Sequence, residues 1–427
     1  MKKTNHNYLI SGSPWRSCIR KIHLESKDQI AAFRYWKQNI DKFYQWFVGF
    51  SEAESCFKVK SKYRNGKLHS FSFEYEIHLH IDDLNLLKFI CEILSVGRVY
   101  ARESSKSCSF VVGNEEGIRS LMKIFDRYTF NGIKLLDYTD FKEAFLSYFN
   151  RPGRLDEDLI DKLLKLKENM NTGRVEFNFP KGHQIKITKY WLLGLIEGEG
   201  TFSLAKEKLR PNFQLLFTAA QKPLLIEIRK YLISNLGFDR FSLWKLNNSS
   251  LIGIFEMKAK GKSKPTVSLE IRSVSLLRNY ILPFLNTMLF ISKKGHNYAD
   301  FLIICNVLYA GGHNEDRIRD LILKLLSGMN DFRLSTYKSG SSSNQALTSA
   351  ELTLLKKVGM RRDLLPKLSL DLLDEDNYSS SHRLAESTHK ILERESFNVV
   401  YLIIKSDVWT YCGKLKRSCS HSRYKKW

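Results

Sequence analysis

The same helical motif occurs twice in this chain, and this duplication restricts the possible folds more than any other feature. Residues 46–57 read WFVGFSEAESCF, and residues 191–202 read WLLGLIEGEGTF. Each copy has an aromatic residue, two apolar residues, a glycine and a further apolar residue, and then alternates acids with small residues. The sequence therefore predicts two homologous halves within one chain.

Two further pairs of matching segments support the duplication. Residues 134–141 (KLLDYTDF) and 294–301 (KGHNYADF) share a lysine, a tyrosine, an aspartate and a phenylalanine. Residues 159–174 and 318–333 both have helical apolar periodicity, and both end in Met-Asn-x-x-Arg. Because the matching segments follow one order, we expect both halves to have one topology and to be related by pseudo-twofold symmetry.

The second half contains an insertion relative to the first. The spacing between matching segments widens after the motif helices, and the basic stretch KAKGKSKP at 258–265 is a candidate for part of the inserted segment. Amphipathic helices over 86–97 and 224–237 each end at glycine, a residue that favours a helix end. Aromatic-rich runs that predict strands follow these two helices, at 98–102, 109–112, 240–246 and 251–258.

These matches divide the chain into five segments. They are an N-terminal extension, a first repeat, a linker, a second repeat and a basic C-terminal extension, at residues 1–37, 38–174, 175–186, 187–333 and 334–427. The linker contains Pro180 and Gly182, as connecting loops do. The N-terminal extension is basic and has no acid before Glu25, a pattern typical of either a transit peptide or a basic arm.

Small residues in both motifs predict that the two motif helices pack against each other. Gly49 and Ala53 lie four positions apart in the first copy, and Gly194 and Gly198 do so in the second. Residues four apart share one face of a helix, so these positions allow two backbones to approach closely. Glycine weakens a helix interior by roughly 1 kcal/mol relative to alanine, and close packing between the helices would offset that cost.

Each motif helix ends in an acid, Glu54 in the first copy and Glu199 in the second. A carboxylate at a helix C-terminus is unfavourable because the helix dipole is negative there, and two such ends near a twofold axis repel each other. A cation between the two carboxylates would remove this repulsion, and Mg²⁺ is a hard ion that takes oxygen ligands. The pattern therefore predicts a divalent-metal site formed by Glu54 and Glu199.

The charge of the chain indicates a nucleic-acid partner. Its 427 residues carry a formal net charge of +23, and 43% of them are hydrophobic, so the chain can form real cores while attracting a polyanion. The sequence has no apolar run long enough for a membrane span, and we expect no membrane partner. Its seven cysteines include no C-x-x-C pair, which favours reduced thiols over a zinc site or a disulfide framework.

The two motifs resemble the signature of the LAGLIDADG homing endonucleases. The matching segments are 47–55 (FVGFSEAES) and 192–200 (LLGLIEGEG), and the resemblance covers roughly residues 38–333. The first copy departs from the family pattern at Ser51, where an apolar residue is usual, and at Ser55, where glycine is usual. Both copies have glutamate where the family has aspartate or glutamate.

The resemblance implies an α+β fold of two pseudo-twofold αββαββα repeats, whose sheets form a DNA-binding β-saddle with the motif helices at the central interface. It implies that Glu54 and Glu199 are catalytic residues that bind Mg²⁺, or another divalent cation such as Mn²⁺. The family also tends to have a basic residue near each active centre. Lys134 and Lys294 match that position, and Lys293 is an adjacent alternative.

The strands that follow each motif are expected to contact DNA. In the first half Lys58, Lys60 and Lys62 alternate, so they share one strand face. We expect four residues of the next strand to continue this face, His69, Phe71, Phe73 and Tyr75. The further expected contacts are Arg64 and Lys67 in the first half and, in the second half, Ser203, Lys206, Lys208, Arg210, Gln214 and Lys245. Alternating basic and polar side chains on a two-stranded ribbon can read base edges in the major groove.

The sequence thus favours a monomeric, metal-dependent homing endonuclease that hydrolyses both strands of one long double-stranded DNA target. Two alternatives stay open: an RNA maturase that assists splicing of a group I intron RNA, with or without cleavage, and a DNA-binding regulator without catalysis. Both motif acids and both repeated lysines are present, which favours the nuclease. The resemblance also implies an organelle-encoded protein, in a mitochondrion or a chloroplast.

Overall fold

The structure is a computed structural model that describes residues 26–238, 251–259, 261, 263–330, 334 and 347–360. Within these residues the strands form two four-stranded antiparallel sheets. No helix in this described part is long and apolar enough to span a membrane. The predicted DNA contact Lys245 and most of the C-terminal extension lie outside the described residues.

The first repeat has the order helix, two strands, helix, two strands, helix. After a preceding helix α1 (Ser26–Gln38), its elements are α2 (Ile40–Glu54), β1 (Ser55–Arg64), β2 (Lys67–His80), α3 (Leu84–Leu94), β3 (Arg98–Arg102), β4 (Ser107–Val112) and α4 (Glu115–Arg127), followed by α5 (Lys134–Phe149) and α6 (Glu157–Glu168). The strands pair in the order β1-β2-β4-β3. Asn65 and Gly66 connect β1 to β2 with positive φ, as their Asn-Gly sequence predicts for a tight hairpin.

The second repeat has the same order of elements. They are α7 (Lys189–Glu199), β5 (Gly200–Ala205), β6 (Arg210–Thr218), α8 (Lys222–Asn235), β7 (Gly253–Met257), β8 (Thr266–Ile271) and the helical segment α9 over 274–286, followed by α10 (Lys294–Tyr309) and α11 (Asp316–Leu326). Its strands pair in the order β5-β6-β8-β7, which repeats the order of the first sheet. The predicted αββαββα topology is therefore confirmed in both halves.

One strand of the second sheet was assigned wrongly from the sequence. The run at 251–258 was expected to match β4, but it forms β7, the counterpart of β3. The counterpart of β4 is β8, whose residues are almost all buried, including Ser268 and Glu270. A strand that is buried on both faces lacks the alternation that identifies a half-exposed strand. The basic stretch 258–265 is the loop between β7 and β8, and it is longer than its counterpart at 103–106.

The face of the first sheet that packs on the helices consists of odd-numbered residues in both long strands. Phe57 pairs across the sheet with Tyr75, and Val59 pairs with Phe73, and all four side chains are buried. The expectation that Phe71, Phe73 and Tyr75 continue the lysine face was therefore wrong. The antiparallel register pairs Lys58 with Glu74, so the even-numbered residues of β2, and not the odd-numbered ones, share the open face with the β1 lysines.

The motif helices α2 and α7 pack against each other between the two halves, with the small residues at their contact. A Cβ atom at Gly49 would overlap the backbone carbonyl of Trp191, and one at Gly194 would overlap the backbone carbonyl of Trp46. A Cβ atom at Gly198 would collide with the methyl group of Ala53. Backbone therefore lies directly on backbone at this interface.

Helices from both extensions pack onto the repeats. In α1, Phe33 stacks on Phe89 of the first repeat at 3.9 Å between centroids, and Trp36 meets the ring edge of Tyr190 in the second repeat. A last described helix, α12 (Ser349–Gly359), packs on α10 and α11 and buries Leu355.

Candidate active site

The two motif acids lie at the ends of α2 and α7, where the helices pass directly into the first strands of the two sheets. Glu54 is the last residue of α2, and Glu199 is the last residue of α7. The helices are so close here that a Cβ atom on Gly198 would lie 3.3 Å from the Oε1 atom of Glu54. The glycine and alanine positions of the motif thus bring one carboxylate from each half to the junction of the sheets.

This junction is electrostatically unfavourable for carboxylates. Burial, together with the neighbouring charge of Glu199, raises the pKa of Glu54 to about 7. Burial also raises the pKa of Glu199, and the positive charges of Lys294 and Lys134 oppose that change. Burial lowers the pKa of Lys294, although Glu54 and Glu199 act in the other direction. The fold therefore concentrates negative charge at a partly dehydrated point, which suits a bound cation.

Glu54→Gln is expected to raise the melting temperature of the metal-free protein, and to raise it more at about pH 8 than at about pH 5. The folded-state pKa of Glu54 is about 7, above its usual value of 4.5, so the stability linked to its protonation is complete below about 4.5 and is lost as the pH rises through about 7. Glutamine stays neutral throughout. Thermal unfolding in EDTA at the two pH values measures the difference, and Glu116→Gln on the exposed surface of α4 is the control. An equal shift at both pH values would contradict the electrostatic account.

A lysine from each half stands at the start of the helix that follows each αββαββα unit. Lys134 is the first residue of α5, and its Nζ atom donates a hydrogen bond to the carbonyl oxygen of Ser55 at 2.6 Å, next to Glu54. Lys294 is the first residue of α10, and its charge acts on both Glu54 and Glu199. The structure thus brings together all four residues that the sequence proposed as catalytic.

The other acid of each motif does not face the junction, and the motif alone did not reveal this. Glu52 and Glu197 are 4% and 3% exposed, so they face the interior. Glu52 accepts a hydrogen bond from the backbone N–H of Asn131 at 2.8 Å, and Glu197 accepts from those of Ile291 and Ser292 at 3.0 and 2.6 Å. These amides immediately precede the two lysine helices. The repetition of an acid two residues before the last acid of each motif was the signal in the sequence.

A second set of contacts crosses between the halves. Gln221, which precedes α8 in the second repeat, accepts a hydrogen bond from the N–H of Ile133 at 3.0 Å, just before Lys134. Asp83 occupies the matching place before α3 in the first repeat and accepts from the N–H of Lys293 at 3.0 Å, just before Lys294. Each half therefore supports the start of the other half's lysine helix. Sequence matching did not reveal this pair because the two side chains differ.

Gln221→Ala is expected to destabilise the protein by about 1–3 kcal/mol, because it leaves the Ile133 amide without its acceptor in a buried place. Gln221→Glu should lose much less, since Asp83 shows that a carboxylate serves at the equivalent position. Urea unfolding of both variants measures the difference. Equal losses in the two variants would mean that packing, and not the hydrogen bond, determines the effect.

The repeated Met-Asn pairs have a structural role. The side-chain amide of Asn171 donates to the carbonyl of Phe57 at 2.8 Å, and that of Asn330 donates to the carbonyl of Phe202 at 3.0 Å. Both asparagines have positive φ, near 53° and 55°. Each therefore fixes the end of its repeat to the first strand after the motif.

The donor set at the junction suits a hard divalent ion that shares its coordination with substrate. Among the described residues, no group of three or more His, Cys, Asp or Glu side chains is arranged to hold a metal ion. Two carboxylates are enough protein ligands for Mg²⁺, because water and substrate phosphates usually supply its other ligands. Glu54 and Glu199 therefore fit such an ion only together with an oxygen-rich ligand.

The open face of the first sheet holds the lysines expected to contact DNA. Lys58 forms an ion pair with Glu76, and Lys60 forms one with Glu74 at 2.7 Å. Lys62 and Arg64 lie near the end of β1, and Lys67 begins β2, so these three side chains surround the hairpin tip.

The second sheet places its expected contacts differently. Ser203 lies on β5 and Gln214 on β6, and the amide of Gln214 donates to Glu270 at 3.1 Å. Lys206 and Lys208 are exposed but lie in the turn before β6, and not on a strand, while Arg210 begins β6.

Comparison with known proteins identifies the family to which this architecture belongs. Residues 47–145 and 192–305 match the LAGLIDADG endonuclease family, with one motif region in each half. The chain belongs to the LAGLIDADG endonuclease family.

Among its relatives is the probable intron-encoded endonuclease Cox1-I1b of Schizosaccharomyces pombe, 28% identical over 233 residues that make up 52% of this chain and 57% of that protein. The uncharacterized mitochondrial protein RF1 of Saccharomyces cerevisiae is 26% identical over 300 residues, 69% of this chain and 61% of that protein. The chain spans about three-fifths of the length of these two relatives.

Solved structures share the fold. The LAGLIDADG homing endonuclease I-GzeII in complex with its DNA target has a TM-score of 0.57 and 20% identity, covering 68% of this chain and 99% of that one. The meganuclease I-CpaMI bound to uncleaved DNA also has a TM-score of 0.57 and 20% identity, covering 67% and 99%. Like this chain, these proteins combine two pseudo-symmetric domains of mixed α+β structure.

Proposed function

We propose that this protein is a homing endonuclease that hydrolyses both strands of one long double-stranded DNA target. The observation that carries the proposal is the junction of the two repeats, where Glu54 and Glu199 meet at the ends of packed helices with Lys134 and Lys294 beside them. The two centres are related by the pseudo-twofold arrangement, as are the two strands of a duplex. One carboxylate and one lysine are thus available for each scissile phosphate.

Glu54 and Glu199 would hold the divalent ions, Mg²⁺ or Mn²⁺, with DNA phosphates and water as the other ligands. Such ions polarise a phosphoryl oxygen and lower the pKa of bound water. The carboxylates contribute by presenting two oxygen ligands at a point where burial raises their pKa, so that a bound cation would offset the cost of holding them ionised. Neither Glu52 nor Glu197 would take this role, because both carboxylates are buried and accept hydrogen bonds from the backbone amides that precede the lysine helices.

The lysines would act on the charge that develops at the phosphate. Lys294 is partly dehydrated, and burial lowers its pKa, so it can orient a water molecule and also stabilise negative charge on an oxygen. Lys134 is held by the carbonyl of Ser55, which keeps its ammonium group at the end of α2. Gln221 and Asp83 accept hydrogen bonds from backbone N–H groups at the starts of the two lysine helices. These bonds would keep the helices in place relative to the acids.

The open faces of the two sheets would lie along the major groove, which accepts a two-stranded ribbon. The net charge of +23 would favour binding to the phosphate backbone. Relatives that are named as intron-encoded or mitochondrial suggest a mitochondrial origin for this chain and a target in an allele that lacks the intron.

The first test is cleavage of a plasmid that carries the intron-less host allele, with Mg²⁺ and with EDTA. Linear product that forms only with Mg²⁺ would support the proposal, and a second plasmid with the target scrambled is the control. No cutting, together with tight binding to the intron RNA, would favour the maturase alternative instead. Binding of DNA without cutting under all conditions would favour a regulator.

A further inference from the structure

Two acids lie on the face of the first sheet that would meet DNA, where phosphates should make them unfavourable. Glu74 and Glu76 belong to β2, and each is bonded to a lysine of β1, Glu76 to Lys58 and Glu74 to Lys60. We call these four residues the Lys/Glu cluster. Ion pairs at this degree of exposure contribute little to stability, typically about 0–1 kcal/mol, so stability alone does not account for two adjacent pairs on a binding face.

The cluster lines a shallow cleft that is open to solvent, together with Tyr100, Arg102 and Ser109 from β3 and β4. The lysine side chains are 35% and 50% exposed, while those of Glu76 and Glu74 are 14% and 21% exposed. The acids are therefore less accessible to solvent than the lysines to which they are bonded.

Both acids accept hydrogen bonds from lysine ammonium groups. Burial would raise the pKa of Glu76, but hydrogen bonds from Lys58 and Ser109 hold that pKa below its usual value. An ionised carboxylate is an acceptor without a proton to donate, and an ammonium group is a donor only. Each pair thus presents one donor and one acceptor side by side.

In the major groove, this arrangement matches a G·C pair. Guanine presents the acceptors N7 and O6, to which lysine can donate hydrogen bonds. Cytosine presents the N4 amino group, which can donate a hydrogen bond to glutamate. An A·T pair also has a donor, on adenine N6, but it places the thymine methyl group where a charged side chain would be dehydrated. A guanine paired with a cytosine therefore satisfies the lysine and the glutamate at once.

We infer that the Lys/Glu cluster reads two G·C pairs in one half of the target, with each lysine on guanine and each glutamate on cytosine N4. Binding would exchange each Lys–Glu hydrogen bond for charge-assisted hydrogen bonds to the bases, so that donors and acceptors stay satisfied. The two pairs lie about 7 Å apart along the strands, so the recognised base pairs should lie close together in the site. This inference rests on the proposed DNA-binding function.

The test is selection of bound duplexes from a randomised double-stranded library by the full-length protein, followed by sequencing. Wild type, Glu74→Gln and Glu76→Gln are compared. Glu256→Gln is the matched control. Glu256 also forms an ion pair with a lysine, Lys222, but it pairs across the strands with buried Val267 and so lies on the face of its sheet that is turned away from the open face.

Wild type should enrich a site with two nearby G·C pairs. Each of the first two variants should lose cytosine preference at one of these positions by roughly tenfold and gain adenine there, because a glutamine amide bonds adenine N6 and N7. The rest of the site, and the whole site for Glu256→Gln, should stay unchanged. Preferences identical to wild type, or a weakening spread evenly over all positions, would overturn the inference.

The same experiment separates this inference from the proposed function. If wild type selects a sequence with the expected G·C pairs but does not cut it with Mg²⁺, the nuclease proposal fails and the inference about base reading stands. If wild type cuts its selected site and the glutamine variants select the same site, the inference fails and the nuclease proposal stands. Failure of wild type to enrich any sequence would overturn both.

Discussion

Glu54→Gln and Glu199→Gln are each expected to abolish double-strand cutting while leaving DNA affinity close to that of wild type. Each change removes one anionic ligand from the helix junction but leaves the sheets, and hence the binding surface, untouched. Formation of linear product should fall by at least roughly 10²–10³-fold, the effect seen when one charge-stabilising group is removed from an active site. Plasmid linearisation and a gel-shift titration measure the two quantities.

The control for this result is Glu116→Gln, the same chemical change in an exposed acid of α4. It should cut and bind as wild type does. Each single variant should accumulate nicked plasmid, because one centre keeps its carboxylate and its lysine. Full linearisation by both single variants would show that these acids are not the metal ligands, and an equal loss of binding would show that they act on DNA affinity.

Gly49→Ala and Gly194→Ala are expected to destabilise the protein, although alanine is favoured over glycine by about 1 kcal/mol in an ordinary helix. At both positions a Cβ atom would overlap a backbone carbonyl of the opposite motif helix, and backbone cannot move aside as a flexible side chain can. The helices must separate, so we expect a loss of roughly 1–3 kcal/mol or more. Thermal and urea unfolding of the metal-free proteins measure it.

Gly153→Ala provides the matched control, because a Cβ atom there meets nothing within 4 Å and the backbone has no positive φ. It should be neutral or slightly stabilising. Separation of α2 and α7 would also move Glu54 and Glu199 apart, so any Gly49→Ala protein that still folds should cut more slowly at equal DNA occupancy. A stable and fully active Gly194→Ala protein would rule out the close backbone packing described above.

The candidate catalytic set was predictable from duplication and from resemblance together. Glu54 and Glu199, and likewise Lys134 and Lys294, occupy matching places in two otherwise divergent halves, and the family resemblance suggests their roles. The small residues Gly49 and Gly194 were predictable for the same reason, since helical spacing alone places them on one face. Duplication also predicted that both repeats have one topology, and the resemblance implied its αββαββα order.

Contacts between the halves were not predictable in this way. Gln221 and Asp83 serve matching backbone amides, but they are different residues, and each acts on an element far away in sequence. Glu52 and Glu197 are repeated and visible, yet only the packed structure shows that their carboxylates face inward to the lysine helices while Glu54 and Glu199 face the junction.

The sequence by itself determined the duplicated topology, the helix-packing faces and the acids and lysines at the centre, because these depend on local periodicity that occurs twice. Only the tertiary structure decided which strand residues share the open face, since that depends on hairpin register. The register pairs Lys58 with Glu74 and buries Phe73 and Tyr75, whereas the sequence alone suggested that Phe73 and Tyr75 share the lysine face. A one-residue change of register moves every side chain to the other face of a sheet, so such information is carried by pairing between strands and not by either strand alone.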